Sequence, residues 1–416
     1  MLSLKKIKNR NIKGEVYLPV SKSVLNRNLI IKALNQTLSA DDVQEGSSDT
    51  VLLYKALGHT EGEVNFKDAG TPLRLYIAYA ALKGINLTIT GNERLKERPI
   101  QPLLKALEDM GASFEFLENP YQLPLKVNKP IDPKTEEVRI NGSMSSQFIS
   151  ALMLIGPYLN KGLNIEIDGE LSSAPYVYLT QFQMELAGVG VDMDEDEEAI
   201  WIDKGIYKPL GRRLLESDWS AACFIFAWVA LSDTAQIFLP GLKKESPQGD
   251  SMAVFLFKDF GVHAVFRPDG LTLSKKEALA ETPIFDVEDV PDMFPVLLAL
   301  CAIKKAKAVF MGVGNLRHKE SNRIEAMAEN LKQCGVELKE VNSDTVELVY
   351  QEDFVTPNTA YQFKSFSDHR IAMALSLFAF ENDIEIDDET VVKKSYPNYW
   401  LDFNAVFKAI QQEQED

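Results

Sequence analysis

Apolar positions along this chain fall into two kinds of helical segment that alternate with each other. The first kind is apolar nearly all round, as in SSQFISALMLIGPYL, WSAACFIFAWVAL and MFPVLLALCAI. A helix without a polar face predicts burial on every side. The second kind carries Glu and Lys on one face, as in RIEAMAENLKQCG, and predicts a helix nearer solvent. Short β-branched runs such as GLNIEID, AQIFLPG, VHAVF, KAVFMGVG and VELKE read as strands, with Gly and Pro punctuating the junctions.

The pattern is periodic. The all-apolar helices open at small or charged polar residues, at Ser23, Gly70, Ser145, Asp218, Asp292 and Asp368, which lie 47, 75, 73, 74 and 76 residues apart. The amphipathic helices end near Gly58, Gly111, Gly188, Gly261 and Gly335. A unit of about 75 residues, one copy short at its start, points to a single fold made of copies, and six copies in like orientation would give two groups of three buried helices. The first unit is short, because only 19 residues separate Asp49 from Asp68, so a strand or hairpin should be missing there. Within a domain the buried helices should point their N-termini the same way. Such ends carry free N–H groups and partial positive charge, and so attract anions to a cleft between domains.

Composition narrows the function classes. The chain has 416 residues and 45% apolar content, enough for large cores, and a net charge of -17. An acidic protein is a poor partner for nucleic acid or an anionic membrane, and neither is expected here. Cys223, Cys301 and Cys334 are far apart and lack metal-ligand spacing, so no metal site and no disulfide framework is expected. The N-terminus shows no apolar leader, and the runs Ala221–Leu231 and Phe294–Ile303 are too short to span a bilayer. A cytoplasmic protein is the expectation.

Candidate chemistry sits at the polar starts of the buried helices. SKSVLNR places Lys22, Ser23 and Arg27 at a strand-to-helix turn, and DAGTPLR places Gly70 and Arg74 at the next. NERLKERPI ends in Arg98; GSMSSQF supplies Ser145, Ser146 and Gln147; SSAPY supplies Ser173 and Tyr176. VPDMF brings Asp292, NLRHKESNR brings Asn315, Lys319, Glu320 and Arg323, SDHR brings His369 and Arg370, and KKSYP brings Lys394. Each has an ordinary structural reading: a capping residue, an exposed ion pair, a solvated charged loop. What distinguishes the set is that the clusters occupy corresponding places in the repeats and most add a cation. An acidic molecule that gathers cations at helix starts is suited to hold more than one anionic group.

The ordered motifs SKSxxNR, AGTxxR, KERPI, GSxSSQF, PY, PD, NxRxKExxR, DHRxAM and K-x-[YF]-P resemble the enolpyruvyl transferases, and among them the 3-phosphoshikimate 1-carboxyvinyltransferase (EPSP synthase) family. The resemblance covers essentially the whole chain. It implies a two-domain inside-out α/β barrel, each domain built from three βαβαββ repeats, joined by a double crossover and closing over substrates. With crossings near Val20 and Ser217, the first domain would be 1–20 plus 217–416 and the second 21–216. It implies transfer of the enolpyruvyl group of phosphoenolpyruvate to the 5-hydroxyl of shikimate 3-phosphate, without cofactor or metal, by a chain expected to be a monomer. Matched by position, Lys22, Ser23, Arg27, Ser145, Ser146, Gln147, Ser173, Tyr176, Asp292, Asn315 and Lys319 correspond to shikimate 3-phosphate contacts. Lys22, Gly70, Arg98, Gln147, Arg323, Arg370 and Lys394 correspond to phosphoenolpyruvate contacts. Asp292 corresponds to the base, Glu320 to the acid that protonates the methylene carbon, Lys22 to an assistant in proton transfer, and His369 to a support for Glu320 or its neighbours.

Departures from the pattern are Asp68 where the family has Asn, Val20 where it has Gly, Asn322 where it has Asp, and the short first unit. Two rivals remain open. One is the sister transferase acting on UDP-N-acetylglucosamine, which generally carries a reactive Cys in the loop before its Arg-Pro; here Gly91–Pro99 has none. The other is a non-catalytic anion-binding relative, disfavoured by the joint presence of Lys22, Asp292 and Glu320.

Overall fold

The computed structural model describes residues 1–44, 46–211, 215–278 and 283–410. The chain divides into two compact units, Met1–Ser21 with Glu216–Asp416, and Lys22–Leu215. The second unit is thus an insertion in the first. Where the chain leaves and re-enters the first unit the two strands lie side by side: Val20 bridges Ser217, Ser21 N donates to Glu216 O at 2.9 Å, and Asp218 N donates to Pro19 O at 2.9 Å. The buried Glu216 carboxylate fixes this crossing by accepting from Trp219 Nε1 at 2.9 Å, Lys243 N at 3.0 Å and Ser246 Oγ at 2.9 Å.

Four of the six units show the same sheet, a parallel pair followed by an antiparallel hairpin. In the inserted unit, Glu63–Asn65 runs parallel to Thr88–Thr90, which is extended by Leu125–Lys129 and Ser113–Phe116. Glu137–Asn141, Leu163–Asp168, Ala199–Ile202 and Val191–Met193 repeat that order. In the first unit, Ile284–Asp286, Val309–Met311, Thr345–Tyr350 and Val336–Asn342 do the same. So do Asn11–Glu15, Thr234–Pro240, Gly270–Lys275 and Val262–Arg267, although the whole inserted unit lies between the first two of these strands in sequence. Each parallel pair is joined through a buried helix, as parallel strands require a crossover.

The two end units differ. The last sheet has three strands: Tyr361–Phe363 pairs parallel with Ile384–Ile386, and the N-terminal Leu2–Leu4 takes the antiparallel place a hairpin would fill. The first of the six repeats is reduced further than a missing hairpin. It consists of the helices Lys22–Leu34 and Ser48–Leu57 with a 3-10 turn, Ala40–Val43, and no strand of its own among the described residues.

Helix burial follows the apolar pattern. Trp219–Leu231 is buried at every position but Ser220, His369–Ser376 along its whole length, and Phe294–Lys304 from Phe294 to Ala302. The amphipathic Arg323–Leu331 buries only one face, through Arg323, Ile324, Ala326, Met327, Asn330 and Leu331. The fourth outer helix is short, a 3-10 turn Gly249–Met252 leading into Ala253–Leu256. The sixth, Tyr399–Phe407, ends on Lys408 in the left-handed region at φ 53°. Gly335 holds the same conformation at φ 72°, which glycine adopts without steric cost. Absence of glycine at 408 explains why the glycine pattern shows only five of the six ends. Among the described residues no helix is long and apolar enough to cross a membrane, and the three cysteines are free thiols.

Candidate active site

In the inserted unit, the starts of the buried helices gather cations. Lys22, the first residue of its helix, places Nζ 3.3 Å from Asp49 Oδ2, with both side chains largely buried. Arg27 lies one turn further in and is 1% exposed. Its Nε donates to Thr180 Oγ1 at 2.6 Å, Nη1 to Ser23 O at 2.9 Å, and Nη2 to Ser150 Oγ at 3.0 Å and Tyr176 O at 2.9 Å. All these acceptors are neutral, and burial pulls the guanidinium down to about 10. At neutral pH it stays charged, ties together Lys22–Leu34, Ser146–Ile155 and Pro175–Leu186, and favours an incoming anion.

The starts of the next two buried helices meet each other. Arg74 Nη1 donates to Gln147 Oε1 at 3.1 Å and Nη2 to Pro99 O at 3.0 Å, while the guanidinium carbon lies 5.4 Å from the Phe148 ring centroid. Gly70 opens its helix so close to Arg98 and Arg74 that a methyl group there would collide with Nη1 of both guanidiniums. Ser145 caps its helix by accepting from Gln147 N at 3.3 Å, and Ser146 is buried behind it. Ser173, buried with φ 56°, precedes the helix Pro175–Leu186, and its carbonyl accepts from Tyr176 N at 3.1 Å. Lys22, Arg27, Arg74 and Arg98 against Asp49 leave this cluster with a cationic excess.

The first unit builds a different cluster, rich in carboxylates. Asp292 does not cap its helix; Met293 stands at the cap position. Instead Asp292 Oδ1 accepts from Arg323 Nη1 at 2.8 Å and Oδ2 from Arg370 Nη2 at 2.6 Å. Burial by itself would raise this carboxyl, but Arg370, Arg323 and Lys319 outweigh burial and Glu320, and hold it well below the usual carboxylate range. Arg323 is wholly buried and is not an exposed ion pair. Its Nε donates to Asp368 Oδ2 at 3.0 Å and its Nη2 to Glu320 Oε2 at 3.2 Å, so one guanidinium serves three carboxylates. Against the cost of burial, those carboxylates raise its affinity for the proton still further. The exposed-pair reading fits Arg317, which meets Glu340 at 3.1 Å.

Asp368 links this network to the last buried helix. Its Oδ1 caps that helix by accepting from Arg370 N at 2.9 Å, and its Oδ2 also accepts from Ser321 Oγ at 3.1 Å. The buried His369 places Nδ1 3.8 Å from Asp368 Oδ1. Lys394 Nζ lies 4.0 Å from Glu320 Oε1. Asn315 belongs to the 3-10 turn Gly314–His318, and Lys319 follows that turn. Asn322, the departure in this motif, caps the helix Arg323–Leu331 by accepting from Glu325 N at 3.4 Å, a task Asp would perform equally.

Sequence reasoning missed several members. Asp49, the partner of Lys22, lies 27 residues away, and Asp368, read only as a helix start, is the partner of Arg323 from 45 residues away. Ser150 and Thr180 are hydroxyls in apolar helices that hold Arg27. A polar residue inside an otherwise apolar helix was the available signal, since buried polar groups need partners.

The family model for EPSP synthase (3-phosphoshikimate 1-carboxyvinyltransferase) matches residues 36–403. A 3-phosphoshikimate 1-carboxyvinyltransferase of Bacteroides fragilis is 38% identical over 396 residues, covering 94% of each chain. One of Methanosarcina acetivorans is 30% identical over 435 residues, covering 99% of each. Among solved structures, the EPSP synthase of Acinetobacter baumannii superposes with a TM-score of 0.72 at 20% identity, covering 98% of both chains, which supports the fold. With its carboxylate network, its cationic helix starts and these relatives, the chain belongs to the EPSP synthase (3-phosphoshikimate 1-carboxyvinyltransferase) family.

Proposed function

We propose that this protein transfers the enolpyruvyl group of phosphoenolpyruvate to the 5-hydroxyl of shikimate 3-phosphate and releases inorganic phosphate, a step toward chorismate and the aromatic amino acids. The observation that carries the reading is the pairing of Asp292 and Glu320 through one buried guanidinium, Arg323. Pure anion binding has no need of two carboxylates there; an addition–elimination needs a base and an acid.

In the proposed reaction Asp292 takes the proton of the 5-hydroxyl while Glu320 protonates the methylene carbon of phosphoenolpyruvate. The 5-oxygen bonds to the adjacent carbon and gives a tetrahedral intermediate. Removal of a proton from the new methyl group then re-forms the double bond as the carbon–phosphate oxygen bond breaks. Lys22 assists proton transfer, and His369 steadies the network through its neighbour Asp368. Ser23, Arg27, Ser145, Ser146, Gln147, Ser173, Tyr176, Asn315 and Lys319 hold shikimate 3-phosphate; Gly70, Arg98, Arg323, Arg370 and Lys394 receive phosphoenolpyruvate, together with Lys22 and Gln147. Cations hold the two mutually repelling anions in reacting positions.

Asp292 bound by two arginines is ionised but weakly basic. An anion that draws Arg370 to itself loosens that hold and raises the basicity of Asp292 when substrate is present. Substrate binding and activation of the base are thereby linked. The cytoplasm, where both substrates are metabolites, is the proposed compartment.

The test is phosphate release by the purified chain with shikimate 3-phosphate or UDP-N-acetylglucosamine as acceptor. Release with the first and none with the second is expected; the reverse would assign it to the sister activity, and binding without release would make it an anion-binding relative.

Two substitutions probe the cationic side. Gly70→Ala puts a methyl group against Arg98 and Arg74 and should displace both. Loss of one charge-assisted hydrogen bond, about 1.5–3 kcal/mol, corresponds to a rise in KM for phosphoenolpyruvate of roughly tenfold or more. The fold should persist, since alanine suits a helix; an unchanged KM would show that the arginines do not hold the ligand. Asp68→Asn removes a negative charge two residues before Gly70. It should lower the same KM, and steady-state kinetics showing no change would dismiss the idea that Asp68 opposes the anion.

A further inference from the structure

A buried guanidinium ordinarily lies against a carboxylate, because a charge removed from water needs a compensating one. Arg323 follows that rule, with Asp292, Glu320 and Asp368 as its partners. Arg27 departs from it. Its side chain is as deeply buried, yet among the described residues it makes no ion pair. Four of its five N–H groups end on neutral oxygens: Thr180 Oγ1, Ser23 O, Ser150 Oγ and Tyr176 O.

The two hydroxyls among these acceptors are wholly buried and lie 2.8 Å from each other. Thr180 Oγ1 donates its single hydrogen to Tyr176 O at 2.8 Å, so the bond between the hydroxyls is donated by Ser150. Both oxygens thereby present lone pairs to Arg27, and the Tyr176 carbonyl accepts from Arg27 and Thr180 together.

We propose that Ser150 and Thr180 are positioning residues for shikimate 3-phosphate: the two hydroxyls fix the Arg27 guanidinium without neutralising it, so that its whole charge and its one remaining N–H, on Nη1, are kept for the anion. The inference rests on the assignment of Arg27 to that ligand. Carboxylates at these two positions would satisfy the same N–H groups but cancel the charge. Apolar side chains would spare the charge but leave buried donors unmet and the guanidinium unanchored. Hydroxyls avoid both faults. The hub joins side chains of Ser146–Ile155 and Pro175–Leu186 to one of Lys22–Leu34, and it holds Tyr176, itself assigned to the same ligand, at the start of its helix. A cation fixed before the ligand arrives lowers the ordering cost of binding.

The two hydroxyls should not count equally. Thr180 is the acceptor for Nε, whereas Nη2 keeps Tyr176 O at 2.9 Å when the Ser150 hydroxyl is removed.

The experiment is steady-state kinetics of the full chain, varying each substrate at saturation with the other, with thermal unfolding of every variant alongside. Thr180→Val, which replaces the hydroxyl by a methyl group of like size, should raise KM for shikimate 3-phosphate roughly tenfold. Ser150→Ala should raise it by less. The kcat and the KM for phosphoenolpyruvate should stay near the parent values, because binding shared by ground and transition states appears in KM alone. Thr180→Ser keeps an acceptor for Nε and should recover most of the affinity lost in Thr180→Val. A parent-like KM for shikimate 3-phosphate in Thr180→Val overturns the inference. So does a parallel rise in both KM values, which describes general structural support. If Thr180→Val fails to fold, Ser150→Ala decides: an unchanged KM there overturns the inference, and failure of both variants to fold assigns the hydroxyls to stability instead. Absence of turnover in the parent sinks the functional reading and this inference with it; turnover with a parent-like KM for shikimate 3-phosphate in the variants sinks the inference alone.

Discussion

Asp292→Asn is expected to lower kcat by roughly 10²–10⁴-fold, the usual contribution of a positioned general base. The amide keeps the shape, but its single oxygen can accept from only one of Arg323 and Arg370, which contact separate carboxylate oxygens at 2.8 and 2.6 Å. It cannot take a proton from a hydroxyl. Because Arg323 retains Asp368 and Glu320 as partners, the network should survive and the loss should fall on chemistry. Binding of shikimate 3-phosphate measured by calorimetry should change far less than turnover. A kcat within tenfold of the parent would remove Asp292 from the role of base and leave it as an anchor for two arginines.

Arg323→Ala should have the largest effect on stability. The guanidinium is buried and serves Asp292, Asp368 and Glu320, so its removal strands three carboxylates in a dry place. Breaking a buried pair from one side costs about 3–5 kcal/mol. The cost should depend on pH. The folded-state pKa of Asp292 is depressed, so its contribution to stability is present above the unfolded value of about 3.9 and is lost as pH falls through the folded value. The parent–variant difference should therefore be widest near neutrality and narrow at acid pH. Denaturant unfolding followed through tryptophan fluorescence reports on this region, since Trp219, Trp228 and Trp400 lie in the same unit. A difference that stays constant with pH would mean that lost packing, not stranded charge, sets the cost.

The two clusters differ in charge. In the inserted unit Arg27 is held only by neutral oxygens, and Arg74 and Arg98 crowd Gly70; these groups attract anions. In the other unit Arg323 pairs with Asp292, Glu320 and Asp368, and Arg370 with Asp292; in the proposed reaction Asp292 and Glu320 handle protons.

The sequence by itself determined where the buried helices begin, because a helix apolar on all sides has one possible environment. Trp219–Leu231, Phe294–Lys304 and His369–Ser376 lie where the polar starts at Asp218, Asp292 and Asp368 announced them. It also determined the family, since collinear motifs survive divergence of everything between them. The tertiary structure decided the partners. Arg323 reads as one more charge in a mixed run, yet folding brings it against Asp292 at the start of its own repeat and Asp368 at the start of the next. The last sheet is completed by Leu2–Leu4 from the far end of the chain. Local periodicity reports each residue's own exposure; which distant charge or strand edge meets it depends on chain topology, to which no short window of sequence has access.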